Sequence, residues 1–173
     1  MAYIYSSLAK AKQDNAPGTK SFIYVAPIDK FTTIEKPVAA GAGDGDTVEI
    51  TADHTFGVGD GFIKLYTTKD TQELIAELVG ERDSEVFNHK FECSHPGLSK
   101  EVLEFLNWAK DDQFIVLIPE LDGSYLQLGM EDLGCDIKSA YGTGKLSGGY
   151  KGSKLTCESF HRPLKYAGTV TIV

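Results

Sequence analysis

Cysteine is scarce and poorly spaced for chemistry. Cys93, Cys135 and Cys157 are the only three in 173 residues, and no Cys-x-x-Cys occurs. That argues against a zinc ribbon or a thioredoxin-type site. The odd set reads as small buried apolar residues, and Cys135 and Cys157 sit in two strand candidates that are free to pair. In a reducing compartment no disulfide is needed. Long apolar runs are also missing: nothing approaches the ~20 residues of a membrane helix. The start, Met1-Ala2-Tyr3-Ile4-Tyr5, lacks the basic region and long apolar core of a signal peptide. The expectation is a chain that is cytoplasmic when synthesised, with no membrane partner. Positive charge is in deficit, with 17 Lys and Arg against 25 Asp and Glu and a formal net charge of −8. A domain that grips nucleic acid usually shows the opposite balance. An acidic wall still lets DNA pass, because it repels phosphate; an ordinary solvated acidic surface is the default reading of the balance.

Catalytic and metal signatures are wanting too. His89, Cys93 and His95 offer three potential zinc ligands in seven residues, but a structural zinc takes four, and a core-facing cysteine beside two ordinary histidines explains them. Asp44, Asp46 and Asp60 lie among glycines without the EF-hand order, and turn chemistry suffices for them. Gly142-Thr143-Gly144-Lys145 fails as a phosphate loop, because Leu146 follows the lysine and Ser139 stands where the first glycine belongs. No Gly-x-Ser-x-Gly elbow exists, and Ser147-Gly148-Gly149 reads as a turn. The carboxylate pairs Asp111-Asp112 and Glu131-Asp132 read as solvated ends of elements. The reading is therefore of no enzyme: no catalytic residue, no cofactor-binding residue, no metal ligand and no cofactor.

What the chain has is strand and turn grammar. Residues 114–160 alternate short β-prone runs with glycine turns. Phe114-Ile115-Val116-Leu117-Ile118 is too short for a confident helix, and Tyr125-Leu126-Gln127-Leu128 follows after Asp122-Gly123. Asp-Gly between two such runs predicts a hairpin, because both turn positions tolerate positive φ. In residues 154–159, Leu155 and Cys157 share one face and Lys154, Thr156 and Glu158 the other, the period of a half-buried antiparallel strand. Phe22-Ile23-Tyr24-Val25, Val48 with Ile50, and residues 62–67 are further strand candidates. Residues 72–79 fit a helix through Leu74, Ile75 and Leu78, and a strand through Leu74, Ala76 and Leu78; strand is slightly favoured. Residues 86–93 place Phe87, Phe91 and Cys93 on one face.

One helix is clear. Ser99 is its expected N-cap, Glu101 suits its positive end, and Val102, Leu103, Phe105, Leu106 and Ala109 form its apolar stripe. Trp108 extends the stripe or sits at its rim. The expected fold is mainly β, with one helix laid across a largely β core. Residues 1–20, polar towards their end and carrying Pro17-Gly18, read as a flexible N-terminal arm, and residues 21–173 as a single β-rich domain.

Several phrases carry a family resemblance. They are Val48-Glu49-Ile50-Thr51-Ala52-Asp53-His54-Thr55-Phe56, Gly59-Asp60-Gly61-Phe62-Ile63-Lys64-Leu65-Tyr66-Thr67-Thr68, Val79-Gly80-Glu81-Arg82, His95-Pro96-Gly97, Asp112-Gln113-Phe114-Ile115-Val116-Leu117 and Asp122-Gly123. Together they span about residues 20–173, and the chain resembles the tail tube (major tail) proteins of Bacteroides-type phages and prophages. The resemblance implies a virion structural protein of the tail, folded as a β-sandwich or barrel with one flanking α-helix. It implies a homo-oligomer, with six copies joining their sheets into a hexameric ring. Rings would stack with other tail proteins into a tube that conducts DNA without binding it specifically. On this reading the helix flanks the sheet and residues 38–46 reach towards the next ring. Residues 169–173 would form an end strand that adds to a neighbour's sheet. Open sheet edges, normally a hazard, become the means of assembly. A second reading from another class is a carbohydrate- or ligand-binding β-sandwich module of a tail fibre or surface complex, with Tyr24, Tyr66, Tyr125, Tyr150 and Trp108 as a stacking platform.

Overall fold

The two most apolar runs of the chain become its two central strands in a computed structural model, which describes residues 17–39 and 43–173. Strand β1 (Phe22–Pro27) lies antiparallel between β5 (Ile63–Tyr66) and β8 (Gln113–Pro119). The far edge of β8 is divided. Its first residues pair with β10 (Cys135–Gly142), and those from Val116 onward pair with β9 (Tyr125–Leu128). Beyond β10 the sheet continues through β11 (Gly152–Phe160) and β7 (Val86–Pro96) to β6 (Glu73–Val79), all antiparallel. Beyond β9 it continues through β12 (Lys165–Tyr166) to β3 (Glu49–Ile50), the last pair parallel. A separate two-stranded sheet joins β2 (Phe31–Thr33) to β4 (Thr55–Phe56). Residues 72–79, open between helix and strand in the sequence, contribute the strand β6.

The long sheet curls back on itself. Thr68 N–H donates to Ser94 O at 2.7 Å, and His95 Nδ1 lies 2.8 Å from Tyr66 O, which ties the end of β5 to the end of β7. Six strands thereby enclose one core. Ile23 and Val25 come from β1, Phe91 and Cys93 from β7, Phe114, Val116 and Ile118 from β8, Cys135 and Ile137 from β10, and Leu155 and Cys157 from β11; Leu65 of β5 packs against them. The opposite faces of β1 and β8 face a second core, where Tyr24, Ala26, Ile115 and Leu117 meet Ile34, Ile50, Phe62, Leu164 and Tyr166. Strands buried on both faces need apolar side chains at every position, which is why β8 shows no alternation. All five residues from Phe114 to Ile118 are fully buried, each contributing about 1.5–3 kcal/mol of transfer free energy. The sheet curls over the first core without closing, since no ladder joins β5 to β7 among the described residues, and with the second layer over its β1–β8 side it makes a sandwich-like fold.

The helix α1 (Lys100–Ala109) begins where expected. Ser99 is extended, and its hydroxyl accepts the Val102 N–H at 3.3 Å. Leu106 and Ala109 are buried in the first core, and Val102 and Phe105 pack against it. The expected stripe is too wide at one point, because Leu103 is 38 % exposed and joins no core. The β8–β9 turn also departs from expectation. It spans residues 120–124, and only Gly123 has positive φ (95°). Asp122 instead accepts the Ser124 N–H and hydroxyl, so it caps the loop with its side chain.

A chain of buried polar groups fastens the second layer to the curled sheet. His54 Nδ1 accepts the Glu35 N–H, and its Nε2 donates to Gln127 Oε1 at 2.9 Å. Gln127 Nε2 donates to Gly129 O, while Gly129 N–H donates to His161 Nε2 at 3.0 Å. His161 Nδ1 therefore carries the proton and donates it to Arg162 O. His89 Nε2 donates to His161 O, and the two imidazoles stack at 4.4 Å. Burial pushes His161 down to about 4, and lowers His54 and His89 as well.

Of the expected 1–20 arm, residues 1–16 lie outside the described residues. Thr19 bridges to Glu120, and Lys20 N–H donates to Pro119 O at 2.9 Å.

Candidate assembly surface

Four strands, in the order β10-β11-β7-β6, present a broad face to solvent. The register sets its charges in rows. Asp136, Glu158, Lys90 and Ile75 lie opposite one another, and Lys138, Thr156, Glu92 and Glu73 form the next row. Glu77 sits on the same face beside Asn88, and Lys154 beside Ser94. Lys154 and Lys90 approach Glu92 at 2.7 and 2.9 Å, and Lys138 approaches Glu158 at 2.7 Å. Hydrogen bonds from Lys154 and Lys90 hold the Glu92 carboxyl down at about 2. Five carboxylates against three lysines leave this face acidic.

The face ends in an open edge. β6 pairs with β7 on one side, and no strand of the described residues covers its other side. Pairing runs without a bulge from Glu73 to Val79, and the strand contains neither Lys nor Pro. Edge strands are normally blunted by such devices, because unpaired N–H and C=O groups template another chain. Ile75 and Leu78 are 47 % and 53 % exposed on it. Next to this sheet, β10 and β11 run on as a long hairpin. Its loop, residues 143–151, is exposed throughout, with Leu146 fully exposed and Tyr141 and Tyr150 at its base.

The C-terminal residues do not supply such an edge strand. Phe62 N–H donates to Thr171 O at 2.8 Å and Val173 N–H to Phe62 O at 3.1 Å, with Ile172 bridged in parallel to Phe62. Residues 169–173 were expected to add to a neighbour. They are used within their own chain because Phe62 is anchored in the second core and Gly61 allows close approach. A Cβ on Gly61 would lie 2.9 Å from Thr171 O. Part of the loop at residues 38–46 lies outside the described residues; Asp46 within it accepts the Gly43 N–H at 2.7 Å.

The other sequence candidates are dispersed. His89 and Cys93 share a face, but His89 is bonded to His161 O, His95 to Tyr66 O, and Cys93 is buried in the first core. Among the described residues no three His, Cys, Asp or Glu side chains are placed to hold a metal ion. All three cysteines are free and buried. Cys135 and Cys157 do meet, and their hydrogen bond together with burial raises the Cys157 thiol. Asp60 pairs with Lys30 at 3.7 Å. Residues 142–145 run from the end of β10 into the exposed hairpin loop, and Ser147 lies in that loop. Asp111 pairs with Lys110, and Glu131 and Asp132 both bind Lys36. The five aromatic rings form no single platform. Tyr24 and Tyr125 pack together at the second core, Tyr66 is exposed at the end of β5 opposite Phe22, Trp108 lies edge-on to Phe114, and Thr68 bonds the Tyr150 hydroxyl. Gln127, His54 and His161 had no signal in the sequence, because a polar residue within a β-prone run looks solvent-facing.

No helix of the described residues is long and apolar enough to cross a membrane. No family model, no curated protein and no solved structure matches this chain.

Proposed function

We propose that this chain is a structural subunit of a phage or prophage tail tube, which self-assembles into rings that stack into a DNA-conducting tube. The observation that carries the reading is the open β6 edge. It is seven residues long, free of bulges, Lys and Pro, and bears exposed Ile75 and Leu78. Addition of a neighbour's strand there would extend the β10-β11-β7-β6 sheet from one copy into the next. The acidic face of that sheet is the surface such a ring would turn towards its axis, where repulsion of phosphate lets DNA slide. Six copies, and a place in the virion tail beside other tail proteins, follow from the family resemblance.

Electron microscopy of the concentrated full chain tests this directly. Rings or stacked tubes with a central channel are expected. The pair Ile75→Lys and Leu78→Lys is expected to leave the monomer folded and to abolish those assemblies. A chain that stays monomeric up to millimolar concentration refutes the reading. Tubes that survive the paired substitution remove β6 from it.

A further inference from the structure

The fully exposed Leu146 stands at the tip of the β10–β11 hairpin, uncovered by the described residues. Its loop, residues 143–151, carries Lys145 and Lys151 and no carboxylate. Elsewhere on the molecule, α1 leaves a cavity of about 190 Å³ against β5 and β11, lined by Ile63, Leu65, Val102, Phe105, Leu106 and Leu155. A dry cavity of ~150 Å³ with such walls admits a benzene-sized group, so this one has room for a leucyl side chain. Glu101, in the first turn of α1, and His95 stand at its mouth. Leu155 lines the cavity near the base of the hairpin, while Leu146 is carried away from it at the tip, so the two do not meet within one chain.

We propose that Leu146 of one copy seats in the α1 cavity of a second copy, with Lys145 of the tip facing Glu101 at the rim. The size of the cavity, its mainly apolar wall and the opposite charges of tip and rim select this occupant. Knob and hole lie on different parts of the surface, and used head-to-tail, as a ring of copies requires, the contact propagates into a closed ring or an open stack. The proposal rests on the reading that copies of this chain assemble, and it names a contact between them other than the β6 edge.

The test uses the full chain with photoreactive benzoylphenylalanine at position 146, irradiated across a concentration series and mapped by mass spectrometry. Adducts to α1 or β5 of another copy are expected. Leu146→Asp, an exposed substitution that should leave the melting temperature unchanged, is expected to raise the concentration of half-assembly roughly tenfold or more, as follows from returning one leucyl side chain to water. Lys145→Glu should weaken assembly, and Lys145→Glu combined with Glu101→Lys should restore it. Assemblies whose adducts fall elsewhere, or which ignore Leu146→Asp, overturn this contact and leave the tube intact. A chain that gives neither assemblies nor intermolecular adducts overturns both.

Discussion

Lowering the pH from 7 to 5 is expected to destabilise this protein through His161. The ring is 3 % exposed, accepts the Gly129 N–H at Nε2 and stacks on His89. Its folded pKa is depressed to about 4, against 6.5 for the free side chain, chiefly because burial penalises the imidazolium. His89 and Arg162 are the titratable and charged groups that act on it, and both add to the depression. The unfolded chain therefore binds the proton first. Stability is fully present above pH 6.5 and is lost as pH falls towards 4. The linkage relation gives a loss of about 2 kcal/mol at pH 5 and about 3 kcal/mol at pH 4 from this group alone. His54 and His89 are lowered too and add with the same sign. Acid also relieves the self-repulsion of a chain with net charge −8, which works in the opposite direction. The comparison that isolates His161 is urea unfolding at pH 7 and 5 for the wild type and His161→Gln. The variant should lose about 2 kcal/mol less between the two pH values. Equal losses in the two proteins would show that His161 is not the buried acceptor described, and would refute the reasoning.

Two further substitutions probe the fold. Gly129 has φ of 93°, and a Cβ there would lie 2.5 Å from Phe114 O, so Gly129→Ala should cost at least about 1–3 kcal/mol in urea unfolding and lower the melting temperature. Ser99→Ala removes the α1 cap and should cost about 1 kcal/mol by the same assay, without changing the secondary structure seen by circular dichroism.

Much of the fold is legible in the sequence because local pattern and burial agree there. Leu155 and Cys157 alternate with Lys154, Thr156 and Glu158 just as β11 alternates between core and solvent. Ser99 and the apolar spacing after it define α1. Legibility fails where the partner is remote. Nothing local tells that Phe62 will hold residues 171–173, or that Gln127 will point inward to His54 across 73 positions. The Asp122-Gly123 turn shows a subtler limit, since the dipeptide marks a reversal without fixing its length. The open edge at β6 is similarly hidden: the period of residues 72–79 allows a strand, but only the pairing pattern reveals that one side has no partner.

The placement of β1 between β5 and β8 has a consequence for biosynthesis. Its two pairing partners begin at residues 63 and 113, so β1 leaves the ribosome before both and has no complete sheet to join until β8 has followed. Such non-local pairing folds slowly and leaves apolar segments open to wrong encounters meanwhile. Recombinant yield should accordingly respond to growth temperature and to nascent-chain chaperones more than to the stability of the finished molecule.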